Sequence, residues 1–140
     1  MTYGDGGGAK KDFKKASSHA QENSLKFADL LDKVAQINPL LRIRFSTSNP
    51  QDMGVDVIDI ITKHDNICKN IHLPVQSGSS RLLELMKRGY DRAEYIRLID
   101  SIKERIPDCA ISMDMIVGFC SETEEDHQET LSLMNYVKYD

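Results

Sequence analysis

Three stretches of this chain concentrate side chains able to hold a ligand. Ser46, Thr47, Ser48 and Asn49 form the first, Gln76, Ser77, Gly78, Ser79 and Ser80 the second, and Asp114, Gly118, Ser121 and Glu122 the third. Hydroxyls and amides both donate and accept hydrogen bonds, and a carboxylate accepts from a ligand's ammonium or hydroxyl groups. Asp114 is the most informative of these residues, because it stands inside the apolar run Ile111 to Val117. A carboxylate buried there needs a partner or a ligand. Gly118, close behind it, would let a ligand approach the backbone. Gln76 can donate and accept at the mouth of its own segment. The alternative is structural: Ser, Asn and Gly belong in turns and caps in any case, and Asp114 could satisfy a hydrogen bond within the fold.

Two other patterns carry less. His64, Cys68 and His72 are spaced by four and four, which invites a metal reading. A helix should end near His64 and a strand begin near Ile71, so that spacing defines no single face. Cys120 has no base near it in sequence and reads as a free structural thiol. The chain has three cysteines, Cys68, Cys109 and Cys120, with no Cys-x-x-Cys, so a disulfide framework is not expected. Cys109 and Cys120 bracket one strand and would lie about 25 Å apart, beyond the reach of a disulfide.

The elements that must position these residues follow from apolar spacing. Phe27, Leu30, Leu31 and Val34 mark a helical face, with Ser24 as its cap and Asn38-Pro39 as its end. Arg42 to Ser46 alternates as a strand. Val57, Ile58 and Ile61 predict a helix to about Lys63. Ile71 to Val75 is a second strand, with Pro74 at its end or on an edge. Leu82, Leu83 and Met86 begin a short helix closed by Gly89. Asp91 to Glu94 has the form of a capping box, followed by the face Tyr95, Leu98, Ile99, Ile102 and Ile106. Ile111, Met113, Met115 and Val117 alternate as a third strand. Ser121 to Glu124 has the form of a second box, ahead of a helix with Leu131, Met134 and Val137 on its apolar side. Strands separated by helices predict parallel pairing and an α/β fold. Ligands in such folds bind at the C-terminal ends of the strands, where all three polar stretches fall. Three strands make a poor complete sheet, and a fourth is expected after Asp140. The sequence reads as a slice of a larger α/β domain, either a barrel or an open sheet.

The chain has 140 residues, 40% hydrophobic and 29% charged, with a net charge of −4, the profile of one globular domain. The acidity argues against a stand-alone nucleic-acid binder. No apolar run is long enough for a membrane span, the start has no signal-peptide core, and a cytoplasmic protein is expected. Residues 1–24 differ from the rest, with Gly4, Gly6, Gly7 and Gly8, four Lys and no Leu, Ile or Val. They are expected to form a flexible arm or loop, and residues 25–140 the α/β segment.

Three strings carry a resemblance: Arg42 to Pro50 (RIRFSTSNP), Ile71 to Arg81 (IHLPVQSGSSR) and Asp114 to Thr123 (DMIVGFCSET). Together, from about Leu25 to Asp140, the chain resembles the radical S-adenosylmethionine (SAM) methylthiotransferases. The MiaB-type tRNA-modifying members are the nearest, as Met86-Lys87-Arg88-Gly89-Tyr90 also suggests. The resemblance implies a partial (β/α) barrel, of which this chain supplies three strands with flanking helices. It implies a SAM site formed by Ser46, Thr47, Gln76, Ser77, Gly78, Asp114, Ile116 and Gly118. It implies an activity that adds a methylthio group to isopentenyl-adenosine beside the tRNA anticodon, using SAM and 4Fe-4S clusters. The partners implied are tRNA and the remaining parts of the same polypeptide. The family's Cys-x-x-x-Cys-x-x-Cys cluster motif is absent from the chain, and Cys120-Ser121 stands where many members have Pro-Gly. The chain alone is therefore expected to hold no cluster and to be inactive. The competing expectation is a non-catalytic α/β nucleotide-binding or interaction module, although no Walker A or Gly-x-Gly-x-x-Gly string supports it.

Overall fold

A computed structural model describes residues 25–46 and 49–140. The expected arm at 1–24, the cap Ser24 and the site residue Thr47 lie outside the described residues.

The element order is α1 (Phe27–Ile37), a 3-10 turn (Pro50–Asp52), α2 (Val55–Lys63), β1 (Asn70–His72), α3 (Ser80–Leu85), α4 (Arg92–Arg105), β2 (Ala110–Ser112) and α5 (Glu124–Val137). β1 and β2 pair in parallel, Ile71 opposite Ile111 and His72 opposite Ser112, so the chain is α/β with a two-stranded parallel sheet. The expected first strand is reduced to one bridge, Ile43 with Ile67. It is tied by Ile43 N–H to Asn66 O at 2.9 Å and Cys68 N–H to Ile43 O at 2.9 Å. Among the described residues nothing pairs with its other edge. No described helix is long and apolar enough to cross a membrane.

One parity rule organises the segments. Odd-numbered Ile67, Ile71, Leu73, Val75 and Ile111 are buried in the core, with Ile43, Met113 and Met115 packed against it. The helices cover this face with Ile58, Ile61, Ile99, Ile102 and Val137. Even-numbered Arg42, Arg44, Asn70, His72, Ser112 and Asp114 fall on the opposite face, as strand alternation requires, and all are exposed or half-exposed.

The ladder ends in a bend at Pro74, which has no N–H to donate. Leu73 N–H still reaches Ser112 O (2.8 Å), but the next bonds run from Gln76 N–H to Asp114 O (2.9 Å) and from Ile116 N–H to Gln76 O (2.8 Å). Residues 73–76 thus stand against 113–115, a one-residue slip of the kind a bulge produces. The carbonyls freed by the slip are taken by side chains. Tyr95 Oη donates to Leu73 O (3.2 Å), Arg88 Nη2 to Pro74 O (2.8 Å) and Tyr90 Oη to Val75 O (3.0 Å). Burial pushes both tyrosine pKa values up, which keeps them protonated donors.

Four details depart from the periodicity. α1 buries Ala28, Leu31 and Ala35, while Phe27 and Leu30 are 43% and 55% exposed. The two alanines let α1 lie close to α2, which turns the larger side chains outward. α1 starts after Lys26, whose N–H donates to Asp29 at 2.9 Å. α3 ends at Leu85 rather than near Gly89. Its Schellman closure uses Lys87 at φ 54°, with Lys87 N–H to Glu84 O at 2.9 Å and Arg88 N–H to Leu83 O at 3.0 Å. The second capping box sits two residues later than expected, with Thr123 as cap and Asp126 as its acid. α5 accordingly buries Asp126, Thr130, Leu133 and Val137, leaving Leu131 and Met134 outside. The first box forms as expected: Glu94 N–H donates to Asp91 at 2.7 Å and Asp91 N–H to Glu94 at 2.8 Å.

Candidate functional site

The bend at Pro74 turns the chain from β1 toward α3 and sets Gln76 beside the end of β2. Gln76 lies at φ 75°, an uncommon conformation for a residue with a side chain. Its backbone is nonetheless held on both sides by Asp114 and Ile116. Its side chain is half-buried and makes no hydrogen bond with another described residue.

The following residues lock onto α5. Ser77 and Ser79 are buried, at 0% and 1% exposure. Gly78 N–H donates to Thr130 Oγ1 at 2.9 Å, and Arg92 donates to Gly78 O at 3.0 Å. A Cβ on Gly78 would meet Thr130 Cα at 2.5 Å and Glu129 O at 2.6 Å. This glycine therefore serves the close approach of a helix. Ser79 Oγ donates to Asp126 Oδ1 at 2.6 Å, and Arg81 pairs with the same carboxylate. Thr123 N–H reaches Asp126 Oδ2 at 2.9 Å. The Arg81 guanidinium, then Ser79 and the Thr123 amide, hold the Asp126 carboxyl well below the usual range. Ser77 and Gly78, expected to line a ligand pocket, hydrogen-bond Thr130 of α5, and Gly78 O accepts from Arg92 at the start of α4.

Asp114 also differs from expectation. It is not a buried carboxylate: its side chain is 65% exposed on the open sheet face. The reason is the missing cover, since no described element packs on that face. His72 Nε2 lies 3.4 Å from Asp114 Oδ2, and His72 Nδ1 lies 3.0 Å from Ser112 Oγ. Further down the face Arg44 donates to Asn70 Oδ1 at 3.2 Å and Arg42 Nε to Cys68 Sγ at 3.2 Å. His64 bonds Asp32 at 2.7 Å instead. So His64, Cys68 and His72 go to three different partners, and no metal-ligating group of three occurs among the described residues.

Beyond β2, Gly118 turns at φ 78° with open space where a Cβ would stand. Its N–H and that of Phe119 donate to Glu122 Oε2 at 2.5 and 2.9 Å. Ser46 and Ile116 are exposed, and Cys120 is an exposed free thiol. The structure thus brings Gln76, Asp114 and Ile116 together through backbone bonds at the C-terminal end of the sheet. Asp126 is the residue sequence reasoning passed over, while Glu122 entered only as a polar loop residue and His72 only in the metal pattern. Thr123-Glu124-Glu125-Asp126 does carry a box spacing with the shorter acid, a signal that could have located Asp126.

Residues 8–134 match the Radical SAM superfamily, a match that reaches into the segment before Leu25. The chain belongs to that superfamily. A tRNA-2-methylthio-N(6)-dimethylallyladenosine synthase of Christiangramia forsetii is 60% identical over 135 residues, covering 96% of this chain and 28% of that protein. One of the same description from Flavobacterium psychrophilum is 58% identical over 134 residues. A mitochondrial tRNA methylthiotransferase of Homo sapiens is 51% identical over 119 residues, 85% of this chain and 20% of the relative. Its relatives are therefore tRNA methylthiotransferases, and the chain spans little more than a quarter of the bacterial relatives' length.

Proposed function

We propose that this chain is the central part of a tRNA methylthiotransferase that adds a methylthio group to isopentenyl-adenosine beside the anticodon. The observation that carries the reading is 60% identity across 96% of the chain to a relative of that description. Its substrate is tRNA, its site of action the cytoplasm, and the rest of the same polypeptide completes a partial barrel around the open polar face. Three strands of that barrel come from this chain, the first of them around Ile43, beside the 25–140 segment's two paired strands.

The residues present fit SAM. The Asp114 carboxylate is 65% exposed and meets His72 through Oδ2, the Gln76 side chain makes no hydrogen bond with another described residue, and nothing stands where a Gly118 side chain would be. In this reading Ser46, Thr47, Gln76, Asp114, Ile116 and Gly118 face the cofactor. Asp114 accepts from its ammonium or hydroxyl groups, and Gly118 lets it lie against the backbone. Ser77 and Gly78, first expected in the same pocket, fix the Gln76 turn by anchoring it to α5. When bound, SAM supplies the radical chemistry, and the chain's part is to bind and orient it. A 4Fe-4S cluster does not fit these residues, because clusters need closely grouped thiolates and Cys68, Cys109 and Cys120 are scattered. Its ligands come from elsewhere in the polypeptide, and the chain alone is inactive.

The test uses the full-length protein, cluster reconstituted under anaerobic conditions, in a host lacking the modification. Methylthiolated isopentenyl-adenosine should appear in its tRNA hydrolysate, and Asp114→Asn should weaken SAM binding with a near-normal melting temperature. Unmodified tRNA from a protein with an intact cluster would overturn the reading.

A further inference from the structure

The open sheet face holds a polar row, a hydrogen bond between Ser112 and His72 continued by a close approach of His72 to Asp114. Ser112 Oγ, the His72 imidazole and the Asp114 carboxylate follow one another at 3.0 and 3.4 Å. They occupy one face because His72 pairs with Ser112 in register and Asp114 is two residues further along. Their chemistry is directional. If the serine hydroxyl donates to Nδ1, that nitrogen is the acceptor and the imidazole proton sits on Nε2, facing Asp114. A second group that fixes a histidine tautomer thereby fixes what the histidine can do to a third.

We propose that His72, oriented by Ser112, is the positioning residue of the SAM site, holding Asp114 Oδ2 so that Oδ1 faces the cofactor's donors. The proposal rests on the reading of Asp114 as a SAM contact. Three features support it. Asp114 is 65% exposed, so on its own its carboxylate samples several rotamers, and ordering it on binding costs affinity. His72 is the neighbour placed to hold it: it lies one layer below on the adjacent strand, itself half-buried and tied at its other nitrogen. Finally, the pair sits beside the Gln76 backbone, whose N–H takes the Asp114 carbonyl at 2.9 Å. Main chain and side chain of Asp114 are thus both fixed from the β1 side.

The test measures SAM affinity by equilibrium dialysis on the full-length protein with its cluster intact. The variants are Asp114→Asn, His72→Phe, His72→Gln, Ser112→Ala and the Asp114→Asn/His72→Phe pair, each checked by melting temperature. Asp114→Asn should weaken SAM more than tenfold and His72→Phe about tenfold. The double variant should be no weaker than Asp114→Asn alone, since the histidine acts only through that carboxylate. His72→Gln, which keeps a donor near the Nε2 position, should recover part of the loss. Nitrogen-15 spectra of the labelled ring should show the proton on Nε2 in the parent protein, and Ser112→Ala should disturb that preference. A purely structural histidine would shift melting and leave the coupling and the Gln rescue absent. His72→Phe binding SAM normally while Asp114→Asn is impaired would overturn the positioning role alone. Asp114→Asn binding normally would overturn the site reading and this inference with it. A ring carrying its proton on Nδ1 would also overturn the inference, even if no variant folded.

Discussion

Replacing Gly78 by alanine adds one methyl group where the backbone of α5 already stands. The new carbon would lie 2.5 Å from Thr130 Cα, 2.6 Å from Glu129 O and 2.9 Å from Glu129 C, against ordinary contacts of about 3.5–4.0 Å. All three neighbours are main chain, so no side chain can swing away, and the helix must retreat by about an ångström. Overpacking of this kind costs roughly 1–3 kcal/mol. The retreat also breaks the bond from Gly78 N–H to Thr130 Oγ1, stranding a buried donor at a further ~1–3 kcal/mol. The expected loss is on the order of 3–4 kcal/mol, a large part of a domain's usual ~5–15 kcal/mol. Urea denaturation of the 140-residue chain should show it as a lowered midpoint at unchanged slope. Gly118→Ala is the control: it meets no atom and suffers only its φ of 78°, about 1–2 kcal/mol. If Gly78→Ala costs no more than Gly118→Ala, the close-approach argument is wrong. Rescue by adding Thr130→Gly would equally refute it, because the obstruction is backbone.

Other outcomes follow from single residues. Lys87→Gly should stabilise the chain by about 0.5–1 kcal/mol in the same assay, because Lys87 closes α3 in the left-handed region at φ 54°. Asp126 has its pKa lowered in the fold, so its contribution is complete above the unfolded value near ~3.9 and is lost as pH falls below it. Melting curves from pH 7 down to acid should therefore drop more steeply for the parent chain than for Asp126→Asn, which starts lower at neutral pH. Burial pushes the Cys109 thiol up to about 11, leaving a thiolate fraction on the order of one thousandth at pH 8. Iodoacetamide mapped by mass spectrometry should label exposed Cys120 far ahead of Cys109.

The parts of the fold legible in the sequence were those where one element decides for itself. The Asp91–Glu94 box, the α2 apolar run and the Tyr95, Ile99, Ile102 face all depend on local spacing. What escaped was decided by a neighbour. α5 turns Leu131 and Met134 outward because Asp126 and Thr130 are needed against Ser79 and Gly78, partners some fifty residues away. α1 hides its alanines because α2 lies close. At the site, the strings around Gln76 and Asp114 predicted neighbours at the C-terminal end of the sheet, and the Gln76–Met115 bridge lies there. They did not reveal that Ser77 and Gly78 face a helix, nor that Asp114 is exposed beside His72. Both facts depend on which side of each strand the helices cover, and that is a property of the assembled layers.

The captured carbonyls at the Pro74 bend bear on the order in which the chain assembles. Arg88, Tyr90 and Tyr95 reach carbonyls 14, 15 and 22 residues back, whereas His72 and Ser112 in the paired strands are 40 apart. Closing the shorter loops is easier by roughly 0.8 kcal/mol on chain statistics, and such near-neighbour contacts favour fast folding. The corner that presents Gln76 can thus be drawn together by the α3–α4 loop and the start of α4 before β2 arrives. β2 then docks against an edge already bent and already missing one rung. A kinetic signature follows: substitutions at Tyr90 and Tyr95 should slow folding, while those at Ser112 and Met115 should chiefly speed unfolding.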